Sequence, residues 1–239
     1  LMVGVSSYVI AGILSLLYSR FKFWFSFLGW IGGLAGLVSG IIQYNEMGSI
    51  IGNLGRWGIL GIELKIDITT LLFAALVVFL NIFTLMYLKD AKERVFFCLY
   101  NFLLGASYSI AFSHDLFNIY VTIELMSLIS ILLIGYERRH YQIYAGIKYL
   151  IISSLAMSIY LIGLGFVYRA GGHLGISKLV QAFEGSISTG LSVGLGLMVV
   201  GLAVKGGIFL FSMWLPDAYL YSDTIVSTLL AGVATKGGL

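Results

Sequence analysis

Four ionisable side chains lie within stretches otherwise suited to hydrocarbon: Glu124 in "DLFNIYVTIELMSLISILLIGY", Lys148 in "YQIYAGIKYLIISSL", Lys205 in "GLAVKGGIFLFSMWLPDAY" and Lys236 in "LLAGVATKGGL". Unpaired at the centre of a membrane helix, a charged side chain costs about 2.5–3.5 kcal/mol, so four cost on the order of 10 kcal/mol. An acid and a string of lysines at that depth suit one kind of chemistry, the holding and passing of protons. Burial drives a lysine towards its neutral form, and a neighbouring carboxylate restores the charge. Movement of Glu124 towards or away from Lys148 or Lys205 would therefore switch a lysine between holding and releasing a proton. Repulsion along Lys148, Lys205 and Lys236 would carry the effect onward as one coupled titration.

Each residue also has a plainer reading. Glu124 shares a helix face with Tyr120 at i−4 and Ser127 at i+3, and could serve only to pair two helices. Lys148 lies about two turns into its apolar stretch, above Tyr141 and Tyr144, and could snorkel to the headgroups. Lys205 is followed at once by Gly206 and Gly207, where a helix is expected to unwind or kink. The run Gly190, Gly194, Gly196 and Gly201 could equally serve close helix contact. Lys236, with Thr228 two turns back, lies too deep to snorkel. Asp217 and Asp223 read as solvated residues of a connection.

The remaining inventory excludes other chemistries. His114, His140 and His173 fall at span edges or in connections, which disfavours a buried haem or metal, and Cys98 stands alone. No Walker A sequence occurs, and "GLGLMVVG" follows no strand, so neither ATP nor a redox cofactor can be placed. No redox chemistry can be built from the chain by itself. A net charge of +3, dispersed in short loops, does not suit nucleic acid.

With 59% hydrophobic and 10% charged residues, the chain reads as an all-α integral membrane protein. About eight spans are expected, near residues 3–18, 24–43, 68–88, 95–113, 116–136, 143–168, 189–211 and 222 onward. Odd connections carry Arg20, Lys22, Lys89, Lys92, Arg94, Arg138 and Arg139, and even ones only Arg56, Lys65, Arg169 and Lys178. That bias puts odd connections in the cytoplasm and the N-terminus outside a cell membrane. Within residues 174–186, Ile176, Leu179, Val180 and Phe183 line one side of a short helix opposite Ser177, Lys178, Gln181 and Glu184, which suits the outer interface. A start at Leu1 and an apolar end at Leu239 read as a piece of a longer or split protein.

"KGGIFLFSMWLPDAY" resembles the lysine-then-WLPDA signature of the antiporter-like membrane subunits shared by respiratory complex I, Mrp-type Na+/H+ antiporters and membrane-bound hydrogenases. "YVTIELMSLISILLIGY" resembles that family's fifth helix with its glutamate at Glu124, "AGIKYLIISSLAMSIYLIG" the sixth with Lys148, and "LLAGVATKGGL" the eighth with Lys236. "GIELKIDITTLLF" resembles the opening of the third. The eighth-helix form and Tyr219 are most similar to the D subunit of the Mrp antiporters and its hydrogenase counterparts. The resemblance implies helices 1–3 in residues 1–94 and a truncated first inverted repeat in 95–239, with a broken seventh helix. It further implies a proton relay of Glu124, Lys148, Lys205 and Lys236, with H+ or Na+ as cargo and other membrane subunits and the lipid bilayer as partners. The chain departs from the pattern at Leu210 and Ser212, where proline and histidine are usual, and in "DTIVS", where Asp223 and Ile225 replace two prolines. Those losses favour an alternative, a non-conducting scaffold subunit. A stand-alone carrier would need the second repeat.

Overall fold

The computed structural model describes residues 2–55, 61–88, 93–182 and 188–235, with backbone alone at 209–211. The main helices are α1 (Met2–Leu17), α2 (Lys22–Met47), α3 (Ile68–Leu88), α4 (Arg94–Ala111), α5 (Leu116–Ile134), α6 (His140–Gly171) and α8 (Thr189–Lys205). A short α7 (Ile176–Ala182) precedes α8, while α9 (Leu215–Tyr221) and α10 (Thr224–Leu229) follow it. Among the described residues, five helices are long and apolar enough to span a membrane, and α1, α8 and the stretch Thr224–Ala234 are shorter apolar helices. These eight match the spans expected from hydropathy.

Outward-facing apolar side chains show what surrounds the bundle. On α5, Leu125, Leu128 and Leu132 are exposed while Met126, Ile129 and Leu133 are buried, so the helix is apolar on both faces. Only lipid or another membrane helix suits such an exterior. Because lipid is as apolar as a leucine side chain, polar contacts and close packing must hold the helices together. Asn81 Nδ2 donates to the Tyr8 hydroxyl at 3.2 Å, and Tyr100 donates to Asn81 Oδ1 at 2.6 Å. Asn101 joins Ser26 at 2.6 Å. A Cβ at Gly201 would lie 2.7 Å from the Ala156 carbonyl, so α6 and α8 touch backbone to backbone.

The fold is the expected all-α membrane bundle, with a short departure from helix. Strands β1 (Ile50–Leu54) and β2 (Ile62–Ile66) form an antiparallel hairpin between α2 and α3, pairing Ile50 with Ile66 and Leu54 with Ile62. "IELKI" alternates apolar and charged residues, the period of a strand, and outside the hydrocarbon such a hairpin need not close into a barrel. The even connections are stitched to it. Lys65 N–H donates to the Phe112 carbonyl and His114 N–H to the Glu63 carbonyl, both at 2.9 Å, and Ile176 N–H donates to the His114 carbonyl at 3.0 Å. Helix α7 falls within the expected interfacial segment, of which residues 183–186 lie outside the described residues. Leu179 is buried and Val180 exposed.

Candidate functional site

The sequence "AVKGGI" ends α8 by a Schellman arrangement. Gly207 adopts φ +68°, Ile208 N–H donates to the Ala203 carbonyl at 3.0 Å, and Gly207 N–H donates to the Val204 carbonyl at 3.2 Å. A 3₁₀ stretch, Phe209–Trp214, then leads to α9, where Pro216 sits in the first turn, a position needing no amide donor. The helix expected to break at Gly206–Gly207 breaks there, and Gly194 and Gly201 pack closely on α6, whereas nothing lies within 4 Å of a Cβ added at Gly190 or Gly196. Trp214 Nε1 donates to the Val204 carbonyl at 3.3 Å, satisfying part of the severed helix end.

Lys205 is the last residue before the break and is 2% exposed. Its Nζ donates to the Tyr149 hydroxyl at 2.6 Å, to Ser153 Oγ at 2.7 Å and to Ser127 Oγ. The Ser127 hydroxyl hydrogen is committed to the Ile123 carbonyl at 2.6 Å, leaving its lone pairs for the ammonium. Three neutral oxygens thus meet the three N–H donors of one cation. Charge-assisted bonds of this kind contribute about 1.5–3 kcal/mol each, the scale of the effective desolvation cost of an ammonium. The C-terminal end of α8 adds a favourable dipole. Among the described residues, no carboxylate pairs with Lys205 in this cage.

The other sequence-derived candidates fall at different places. Glu124 is half-buried on α5, one turn before Ser127, and its Oε2 is buried with no hydrogen-bond partner among the described residues. Tyr120, on the same face, stacks on Tyr160 with ring centroids 6.2 Å apart. Lys148 neither pairs with Glu124 nor joins the cage. It forms an ion pair of 2.6 Å with Asp217 Oδ2, the side chains being 29% and 27% exposed. The expectation that Asp217 is a solvated connection residue is thereby corrected, because α9 folds back against α6 and brings the two together. Asp223 caps α10, its Oδ1 accepting from Ile225 N–H at 3.1 Å. Lys236 lies outside the described residues. It follows a π-helical turn, Leu230–Ala234, while Thr228 is exposed and bonds to Thr224 of its own helix.

Tyr149 and Ser153 were missed by sequence reasoning. They lie four residues apart on α6, one face over from Lys148, and paired hydroxyls at that spacing in an apolar helix were the available signal. Glu63 was also missed. It is 2% exposed, and its Oε2 accepts from Ser177 N–H at 3.2 Å, fastening the hairpin to α7. Nearby, burial works against ionisation of Asp67, yet Lys65 at 2.8 Å, Thr69 and the Thr70 amide outweigh it and hold the carboxyl well below its ordinary range. Burial and the Lys65 charge push the His114 imidazole below its ordinary value, over the opposing influence of Glu63 and Asp67. The three histidines stand at the span edges and connections assigned from sequence.

A multi-pass helical membrane bundle with a caged lysine at a broken helix defines the class. Residues 113–239 match the family described as the NADH:quinone oxidoreductase/Mrp antiporter transmembrane family, and the chain belongs to it. It is 29% identical over 205 residues to the Na(+)/H(+) antiporter D subunit of Alkalihalophilus pseudofirmus, covering 83% of this chain and 42% of that protein. Over 184 residues it is 32% identical to the NADH-quinone oxidoreductase N subunit of Desulforudis audaxviator, covering 74% of this chain and 36% of that protein. Among solved structures, it superposes on a chain of the membrane-bound sulfane sulfur reductase, an archaeal respiratory membrane complex, with a TM-score of 0.89 at 22% identity, covering 99% of this chain and 50% of that one. A chain of the Mrp complex from Dietzia sp. DQ12-45-1b gives a TM-score of 0.85 at 22% identity, covering 99% and 46%. The chain therefore spans less than half the length of these two sequence relatives.

Proposed function

We propose that this chain translocates protons as the first half of an antiporter-like subunit within a multisubunit membrane complex. One observation carries the reading: Lys205 is buried at a helix break in a cage of three hydroxyls, with no carboxylate bonded to it among the described residues. Such a lysine gives up and regains its proton without breaking an ion pair, and broken helices at membrane depth occur where they are buried in protein or line a cavity. Glu124, with a buried unpartnered oxygen, is the acid one turn from the cage. Lys148 gates by its charge, and Lys236 passes the proton on. A cleft of about 480 Å³ opens at the surface carrying the odd connections, lined in part by Glu137, Arg139, Gln142, Tyr221 and Asp223. With the N-terminus outside the cell membrane, that cleft faces the cytoplasm. A lysine carrier favours H+ over Na+. Energy for transport comes from elsewhere in the complex, a setting supported by relatives named as antiporter and oxidoreductase subunits.

The Lys148–Asp217 ion pair favours a second reading, a scaffold in which partly buried charges only clamp helices. Lys205→Ala separates the two when the assembled complex is assayed for ion movement in sealed vesicles. Translocation is lost, with assembly retained, if the lysine is the carrier. Undiminished pumping would sink the proposal.

A further inference from the structure

Two consecutive residues of α6 hold the two sides of the helix break. Tyr149 accepts from Lys205, the last residue before it, and stacks on Trp214 after it with ring centroids 4.5 Å apart. Lys148 reaches past the break to Asp217, in the first turn of α9. The ion pair is partly shielded from solvent and adjoins a region where burial weakens dielectric screening. We propose that Asp217 is a positioning residue of the caged lysine: its carboxylate docks α9 on α6 and masks the Lys148 charge that would otherwise act on Lys205. The inference rests on Lys205 being the proton carrier.

Its physical content is a sign. An unmasked cation on Lys148 disfavours a proton on Lys205, and an unmasked Asp217 carboxylate favours it. Other groups facing this region are Tyr144 beside Lys148, Tyr219 of α9 near Tyr149, and Tyr149, Ser127 and Ser153 around Lys205, with Glu124 one turn from Ser127. Among these, Lys148 and Asp217 are the two whose charges the structure shows cancelling each other directly. A role confined to docking would slow transport without giving the two single neutralisations opposite effects on its pH dependence.

The test is the pH profile of ion translocation by the assembled complex in sealed vesicles. Asp217→Asn is expected to move the midpoint to lower pH, Lys148→Met to higher pH, and Lys148→Met/Asp217→Asn back to the wild-type midpoint whatever its rate. Asp217→Glu keeps the wild-type midpoint. If both single variants slow transport and neither moves the midpoint, or if both move it the same way, the inference is overturned. Should Asp217→Asn not accumulate, the double variant decides, since a displaced midpoint there contradicts charge masking. Lys205→Ala is run alongside. Wild-type translocation in that variant overturns the proposed function and this inference with it, whereas an inactive Lys205→Ala beside an unshifted Asp217→Asn overturns the inference alone.

Discussion

The Tyr149 hydroxyl accepts a hydrogen bond from Lys205 Nζ at 2.6 Å while the same ring stacks on Trp214 beyond the helix break. One side chain of the continuous helix α6 therefore fixes both limbs of the interrupted one. The hydroxyl and the ring do separable work. The hydroxyl supports the ammonium, and the ring supports the geometry.

Tyr149→Phe tests that separation. The ring stack persists, but the buried ammonium keeps only Ser127 and Ser153, a loss of about 1–3 kcal/mol. Since 1.4 kcal/mol is about a factor of ten, translocation by the assembled complex is expected to fall by about fivefold to about 150-fold. Tyr149→Ala removes the ring as well and is expected to lower the thermal midpoint of the purified complex further. Equal loss from both variants would contradict the division.

Glu124→Gln keeps the shape of the half-buried side chain and removes its ability to exchange a proton. Vesicles bearing the variant complex should assemble normally and translocate about a hundredfold less, the low end of what a positioned acid–base group contributes to proton transfer. A scaffold role predicts full translocation, so the measurement also bears on the second reading.

Gly207→Ala tests the helix break. At φ +68° an L-residue pays about 1–2 kcal/mol, and the added Cβ also runs into Leu215. The variant complex is expected to melt at lower temperature and to transport more slowly, because the end of α8 sets the position of Lys205. Gly196→Ala, where nothing lies within 4 Å of the added carbon, should change neither by much.

Acidification should loosen the hairpin that covers the even connections. For Asp67 the folded-state value is lowered, so its stabilisation is present above the ordinary value of 3.8 and is lost as pH falls through the lower, folded one. For His114 the folded-state value is also lowered. The folded state favours the neutral imidazole, giving a contribution that is complete above the ordinary value of 6.5 and declines as pH falls below it. Amide exchange across residues 61–66 is therefore expected to speed up below about pH 6.5. His114→Gln should remove the upper part of that dependence and leave the part near Asp67. Exchange independent of pH, after correction for its intrinsic chemistry, would exclude both contributions.

Much of the architecture was legible because membrane burial makes strong demands on composition. Runs of about twenty apolar residues can only be helices in hydrocarbon, and "KGGIFLFSMWLP" carries both the glycines that end one helix and the proline that begins the next. The hairpin was less legible, because five alternating residues such as "IELKI" beside long apolar spans give a weak signal. Glu63 is hidden for a related reason, since its partner Ser177 lies 114 residues away.

Sequence by itself determined which side chains had to be accounted for: Glu124, Lys148, Lys205 and Lys236 carry a cost in lipid that no local structure removes. Tertiary structure decided how Lys148 and Lys205 are met, because their partners come from other helices, and it left Glu124 Oε2 unpartnered among the described residues. Packing of α5 and α6 against α8 supplies three hydroxyls to Lys205, and the return of α9 supplies Asp217 to Lys148. Helical spacing shows which residues share a face. It does not show which face meets another helix, and that contact separates a caged cation from an ion-paired one.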